Sequence, residues 1–164
     1  MKKIVQCLFI TTICSSFFIL NVKGDIINRQ NNRIHFNILA PKKVEKDWRV
    51  HVQAVPNGRD PSTHKVIFRF MDKNFRYLIL GMEESKQENR RLSVPRGGEE
   101  VHFNGQTGIF MKWDNSGEMN RDGKSVSGGL LEWNQDGTHI KMASAKLTKA
   151  QLIRLAASCQ TLSD

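Results

Sequence analysis

Apolar and polar residues alternate most regularly between Trp48 and Val55. Trp48, Val50, Val52 and Ala54 fall on one side, and Arg49, His51 and Gln53 on the other. A period of two marks a half-buried strand. The same period predicts strands over Lys65–Met71 and Phe75–Leu80, with Val66, Phe68 and Phe70 facing the core beside Phe75, Tyr77 and Ile79. Shorter alternating runs follow at Glu99–Phe103 and at Thr107–Trp113, where Ile109, Met111 and Trp113 share a side. Phe36–Leu39 reads as a first short strand that Ala40-Pro41 stops. The stretch Glu83–Arg91 reads as a solvated charge run with no core face. Turn residues punctuate the pattern at 56–61 (PNGRDP), Asp72-Lys73-Asn74, Pro95–Gly98 and Asn104-Gly105.

The period changes within Gly128–Cys159. Two alternating runs, Leu130–Asn134 and Thr138–Ala143, flank Gln135-Asp136-Gly137. Asp-Gly between alternating segments predicts a tight hairpin, because glycine accepts the positive φ that such turns require. A helix start follows directly. Thr148 and Gln151 have capping-box spacing, and Leu147 and Leu152 stand at the positions of a hydrophobic staple. Leu152, Leu155, Ala156 and Cys159 then recur at i, i+3, i+4 and i+7, one apolar stripe.

Short turns force antiparallel neighbours, since parallel pairing needs long crossovers. The pattern therefore predicts an α+β fold: an antiparallel meander sheet of six to eight strands with a C-terminal helix packed on one face. No internal repeat interrupts it.

The N-terminus departs from this pattern. Lys2 and Lys3 precede an uncharged apolar run, Ile4–Leu20, and Val22-Lys23-Gly24 supplies small residues for a signal peptidase. Residues 1–24 read as a secretory signal peptide. An uncleaved anchor is the alternative, because the run is close to the length of a spanning helix. Residues 25–33 are amide-rich and read as a linker, leaving 34–164 as a single α+β domain. The expected location is secreted or extracytoplasmic, or tethered to the membrane where the signal is retained.

The chain carries 25 Lys and Arg against 16 Asp and Glu, a formal charge of +9. Removing 1–24 takes three lysines and no acid, leaving +6. Cys159 is then the last cysteine, so no internal disulfide can form in an oxidising compartment. Stability has to come from the core, and a chain of this size buries roughly two-thirds of its unfolded surface. The basic residues are scattered: Lys42, Lys43 and Lys46, then Arg90, Arg91 and Arg96, then Lys141, Lys146 and Lys149. Diffuse charge of this kind suits an anionic membrane or wall surface, or a solvated exterior, and no nucleic acid partner is expected.

Candidate chemistry is sparse. Of the five histidines, His35, His51, His64, His102 and His139, none has metalloprotease spacing. His51, His102 and His139 occupy outward strand positions, where they either converge on a metal or phosphate or simply stay solvated. The loop 114–123 has oxygen side chains at alternate positions, but Met119 stands where a calcium loop needs glycine. Cys159 on an apolar stripe reads as an inert buried thiol. Trp48, Trp113 and Trp133 each read as core. No catalytic, cofactor-binding or metal-ligating residue is assigned, and no cofactor is expected.

The two ends of the domain carry a resemblance. Phe36-Asn37-Ile38-Leu39-Ala40-Pro41-Lys42-Lys43 followed by Trp48 opens it. Leu131-Glu132-Trp133, Asp136-Gly137-Thr138, Leu147–Leu152 and Ala156-Ala157-Ser158 close it. Together they resemble the domain-of-unknown-function family 4367, an extracytoplasmic bacterial domain of membrane-anchored anti-sigma-type regulators and free-standing exported proteins. The resemblance implies an antiparallel sheet with a C-terminal helix outside the membrane, and it brings no catalytic residues.

The leading expectation is an exported, non-enzymatic binding or regulatory module at the bacterial cell envelope. Its partner would be an envelope protein or an anionic wall or membrane surface, met by a sheet face that the helix leaves open. The alternative is a small secreted hydrolase of phosphodiesters that uses His102, Glu99 or Glu132, and Lys141. A ligand or lipid carrier, with a cavity between sheet and helix, is a third.

Overall fold

The computed structural model describes residues 34–57, 60–88, 92–113, 119, 123, 125 and 127–162. The signal segment, the linker and most of the loop 114–123 lie outside the described residues. So do Arg90 and Arg91. Among the described residues no helix is long and apolar enough to cross a membrane.

Among the described residues, nine strands and one helix follow in order: β1 Leu39–Pro41, β2 Arg49–Asn57, β3 Asp60–Met71, β4 Leu78–Lys86, β5 Gly98–Phe103, β6 Gln106–Lys112, β7 Gly129–Gln135, β8 Thr138–Ser144, α1 Lys149–Ala157 and β9 Cys159–Thr161. Seven of the strands form one antiparallel sheet in the order β2-β3-β4-β8-β7-β6-β5. The fold is α+β, with two meanders, β2 to β4 and β5 to β8, joined where β4 pairs with β8. The chain after β4 therefore passes to the opposite edge of the sheet before β5 begins. Asn104-Gly105 and Asp136-Gly137 close two of the hairpins with φ of 45° and 74°, and 50° and 80°. Paired positive φ matches the twist of the strands they join.

One face of the sheet is covered. Val66, Phe68, Phe70, Leu80, Met82, Leu131, Trp133, Ile140 and Met142 point into a single core shared with Leu39 of β1, Leu152 and Ala156 of α1, and Cys159 of β9. The capping box is present: Gln151 N–H donates to Thr148 Oγ1 at 3.3 Å and Thr148 N–H to Gln151 Oε1 at 2.8 Å. Leu147 and Leu152 of the staple are both buried. Because α1 is only 9 residues long, its start carries much of its local stability. Thr148→Ala is expected to cost about 1 kcal/mol, read as a lowered urea midpoint with an unchanged slope.

The helix stripe ends earlier than the spacing predicts. Ser158 caps α1, its hydroxyl donating to Leu155 O at 2.8 Å. Cys159 then opens β9, which pairs with β1 through Leu39↔Thr161, Ala40↔Gln160 and Pro41↔Cys159. Ala40 and Pro41 thus belong to the first strand, which runs Leu39–Pro41 instead of stopping at Leu39. Proline is tolerated there because it ends a strand of a two-stranded ribbon and need not donate.

The largest departure lies in β4. Phe75 and Tyr77 are exposed, and the core-facing set is Leu80, Met82 and Glu84. Asp72 closes a tight turn that delays the strand to Leu78 (below), and the inward phase falls on the even positions. The charge run is therefore half strand. Glu84 is 0% exposed, and Leu39 N–H lies 3.2 Å from each of its carboxylate oxygens. An N–H of the short β1 strand, which would otherwise be orphaned in the core, is satisfied by this carboxylate. Burial pushes the Glu84 carboxyl well above the usual carboxylate range, against the smaller opposing pull of the Leu39 bond.

Candidate functional site

The face of the sheet away from α1 is built by odd-numbered residues of β2, β3, β4, β6 and β8 and even-numbered residues of β5 and β7. Strand register lines them up in rows. One row runs Gln53, Ile67, Glu83, Lys141, Glu132, Ile109, Glu100 across all seven strands. The next runs His51, Arg69, Gly81, Ala143, Leu130, Met111, Gly98. The first row is mostly charged. The middle of the second is small or apolar.

Trp113 follows Met111 on the same side and is 37% exposed. The alternation that marked Ile109, Met111 and Trp113 as one face is correct, but that face is the outer one. Register decides it: Phe110 pairs with core-facing Leu131, and Gly108 with core-facing Trp133. Ile109 is buried yet stands apart from the main core. It lies between the Glu100 and Glu132 positions of its row. The described elements outside the sheet, β1, β9 and α1, all join the core on the other side.

Charged side chains on this face pair locally. Lys65 Nζ lies 2.6 Å from Glu83 Oε1, and Lys141 Nζ 3.3 Å from Glu132 Oε1. His139 Nδ1 is 2.9 Å from Asn134 Oδ1. Its Nε2 lies 3.9 Å from Glu132 Oε2. Burial holds the His139 pKa below its ordinary value, and Glu132 pulls it partly back. His139 is therefore a neutral imidazole at pH 7.

The histidines do not converge. His51 is on β2, His139 on β8 and His102 on β5, with three strand steps between neighbours, a spacing of roughly 14 Å. His102 Nε2 meets Glu100 at 3.3 Å rather than Glu99, and its Nδ1 meets Thr107 Oγ1 at 3.1 Å. Glu99 turns toward the helix and pairs with Lys149 at 2.6 Å. The acid, base and cation named from sequence are thus split between two places. Glu132 and Lys141 do meet, and the histidine beside them is His139. At 3.9 Å that imidazole is outside the range for direct proton transfer with Glu132, and among the described residues no element outside the sheet packs on this face. Among the described residues no cluster of three His, Cys, Asp or Glu has metal-holding geometry. Cys159 is buried, and burial, followed by the charge of Glu84, pushes its thiol far up. It is an unreactive thiol.

Compared with family models, with curated proteins and with solved structures, the chain matches none.

Proposed function

We propose that this chain is an exported, non-enzymatic binding or regulatory module of a bacterial cell envelope, which takes a protein partner on its open sheet face. The observation that carries the reading is the juxtaposition of two rows. Met111, Leu130 and Ala143, with Trp113 beside them, give an apolar strip. Glu83, Lys141 and Glu132 give a charged border along it. An apolar centre with a polar margin is how protein interfaces combine affinity with orientation. Ion pairs with Lys65 and between Lys141 and Glu132 tie the border side chains to their neighbours. The signal-like N-terminus supports the extracytoplasmic setting. The carrier reading is less well supported, because Trp133, Phe68, Phe70 and Met82 fill the layer between sheet and helix.

A photo-crosslinking amino acid placed at Leu130 of the full chain, with Arg154 on the exposed side of α1 as control, tests the proposal in expressing bacteria. A discrete protein adduct at 130, absent at 154 and reduced by Trp113→Ala, is the expected result. Equal adducts at both positions, or none at 130, would overturn it. A parallel assay on RNA and phosphodiesters separates the hydrolase reading. Turnover that disappears with His139→Ala would replace the binding proposal.

A further inference from the structure

The turn that joins β3 to β4, Asp72-Lys73-Asn74-Phe75-Arg76-Tyr77, is fixed by its own hydrogen bonds. Asp72 Oδ1 accepts the N–H groups of Arg76 at 2.6 Å and Tyr77 at 2.8 Å, and Oδ2 that of Asn74 at 3.3 Å. On the backbone, Phe75 N–H donates to Asp72 O and Asp72 N–H to Tyr77 O, both at 3.0 Å. These bonds, that from Tyr77 foremost, hold the Asp72 carboxyl below its usual range, so at neutral pH it is ionised and the turn is closed.

The turn displays aromatic side chains instead of burying them. Phe75 is 57% exposed and Tyr77 59%, and Leu78 beside them is also exposed. Phe75 takes φ of 57°, a left-handed conformation that is an outlier for a bulky side chain and calls for a reason. The core supplies none, since Phe75 takes no part in it. Lys73 and Arg76 are exposed on either side of Phe75, and Lys146 Nζ lies 5.1 Å from the centre of the Tyr77 ring. Exposed aromatic groups on a hydrogen-bonded turn, with cations flanking them in sequence and one over the Tyr77 ring, match the bilayer interface. There the rings settle at headgroup level and the cations meet anionic phosphates.

We propose that this turn is an interfacial anchor that seats Phe75 and Tyr77 among the headgroups of an anionic lipid bilayer. It rests on the exported, envelope-facing reading above, but uses a different surface. Charge complementarity selects the occupant, since the chain without residues 1–24 carries +6 and the tip gathers cations around its rings. The sheet face would remain open to a protein while the tip holds the membrane.

The test uses the full chain bound to vesicles, with a photo-crosslinking residue at Phe75 and, separately, at Arg154. Any insertion of the 4–20 segment then affects both samples alike. Vesicles with about one-third phosphatidylglycerol are compared with phosphatidylcholine alone and with soluble inorganic polyphosphate added as competitor. The expected result is a lipid adduct at 75 at least tenfold above that at 154. It should need phosphatidylglycerol and fall several-fold in 0.5 M salt, through roughly threefold shorter screening than at 0.05 M. Lys73→Glu with Arg76→Glu should lower it likewise, because the turn is held by backbone groups and Asp72. Equal adducts at 75 and 154, or an adduct indifferent to lipid charge, overturns the anchor. Loss of the adduct to polyphosphate at near-stoichiometric amounts would mean a phosphate site and also overturns it. The Leu130 crosslink is read separately, so failure here leaves the sheet-face proposal standing.

Discussion

At neutral pH the Glu84→Gln variant should unfold at a higher urea concentration than the wild-type chain, and the difference should grow with pH. Burial raises the Glu84 carboxyl pKa in the folded state. Between the ordinary carboxylate range and that raised value, the unfolded chain has released a proton that the folded chain keeps. Stability therefore falls as pH rises across this window, by up to about 1.4 kcal/mol per pH unit for one proton. Below the window both states are protonated and the penalty vanishes. Glutamine keeps an acceptor for Leu39 N–H and has nothing to ionise, so it removes the slope. Alanine should do the opposite. It leaves that N–H without its partner in the core, at about 1–3 kcal/mol, and adds a cavity. His139 contributes a slope of the other sign. Its pKa is lowered, so the stability it supports is complete above the usual imidazole range and lost as pH falls through the lowered value. The wild-type minus Glu84→Gln difference, measured from pH 5 to 9 by urea unfolding, isolates the glutamate. Parallel curves across that range would show that Glu84 ionises in the core without cost.

Glu84 also shows where a sequence pattern stops being informative. The hairpin, the capping box and the staple were all legible because each is local, with cause and partner within a few residues. The α+β class followed from turn lengths for the same reason. Glu84 was read as solvated because it sits among Glu83, Ser85 and Lys86, and its partner is Leu39, 45 residues away. The β1–β9 ribbon has the same character, since neither three-residue strand carries enough alternation to announce itself. Strand phase was the other hidden quantity. Phe75, Tyr77 and Ile79 alternate well, yet of the three only Ile79 packs against the core: a turn fixed by the Asp72 carboxylate moves the strand start to Leu78, and from Leu80 onward the even positions are inside. Of the outer face, the charged members could be named from alternation alone. Their neighbours could not, because which residues share a row depends on register across strands distant in sequence. His139 was grouped with His51 and His102 by orientation. It is register that sets it beside Glu132 and Lys141.

Trp133 and Trp113 occupy similar alternating positions in sequence, and their alanine variants should behave in opposite ways. Trp133 is 0% exposed and packs edge-on against Phe103, with ring centroids 5.7 Å apart. Its Nε1 donates to Gln135 Oε1 at 3.2 Å, and Gln135 Nε2 in turn donates to Cys159 O at 3.3 Å, tying the hairpin to β9. Across the ladder stands Gly108, where an added Cβ would come within 3.1 Å of the Phe103 ring. The missing side chain there is what lets Phe103 reach the tryptophan. Trp133→Ala should therefore cost about 3–5 kcal/mol, a large part of the 5–15 kcal/mol that typically separates folded from unfolded. Trp113→Ala, on the outer face, should stay within about 0.5 kcal/mol of wild type while reducing partner crosslinking at Leu130, as expected of an exposed tryptophan at an interface. Urea midpoints and the crosslink yield are to be read on the same pair of variants. If Trp113→Ala proves as destabilising as Trp133→Ala, the outer face is a second core rather than a surface held open for a partner.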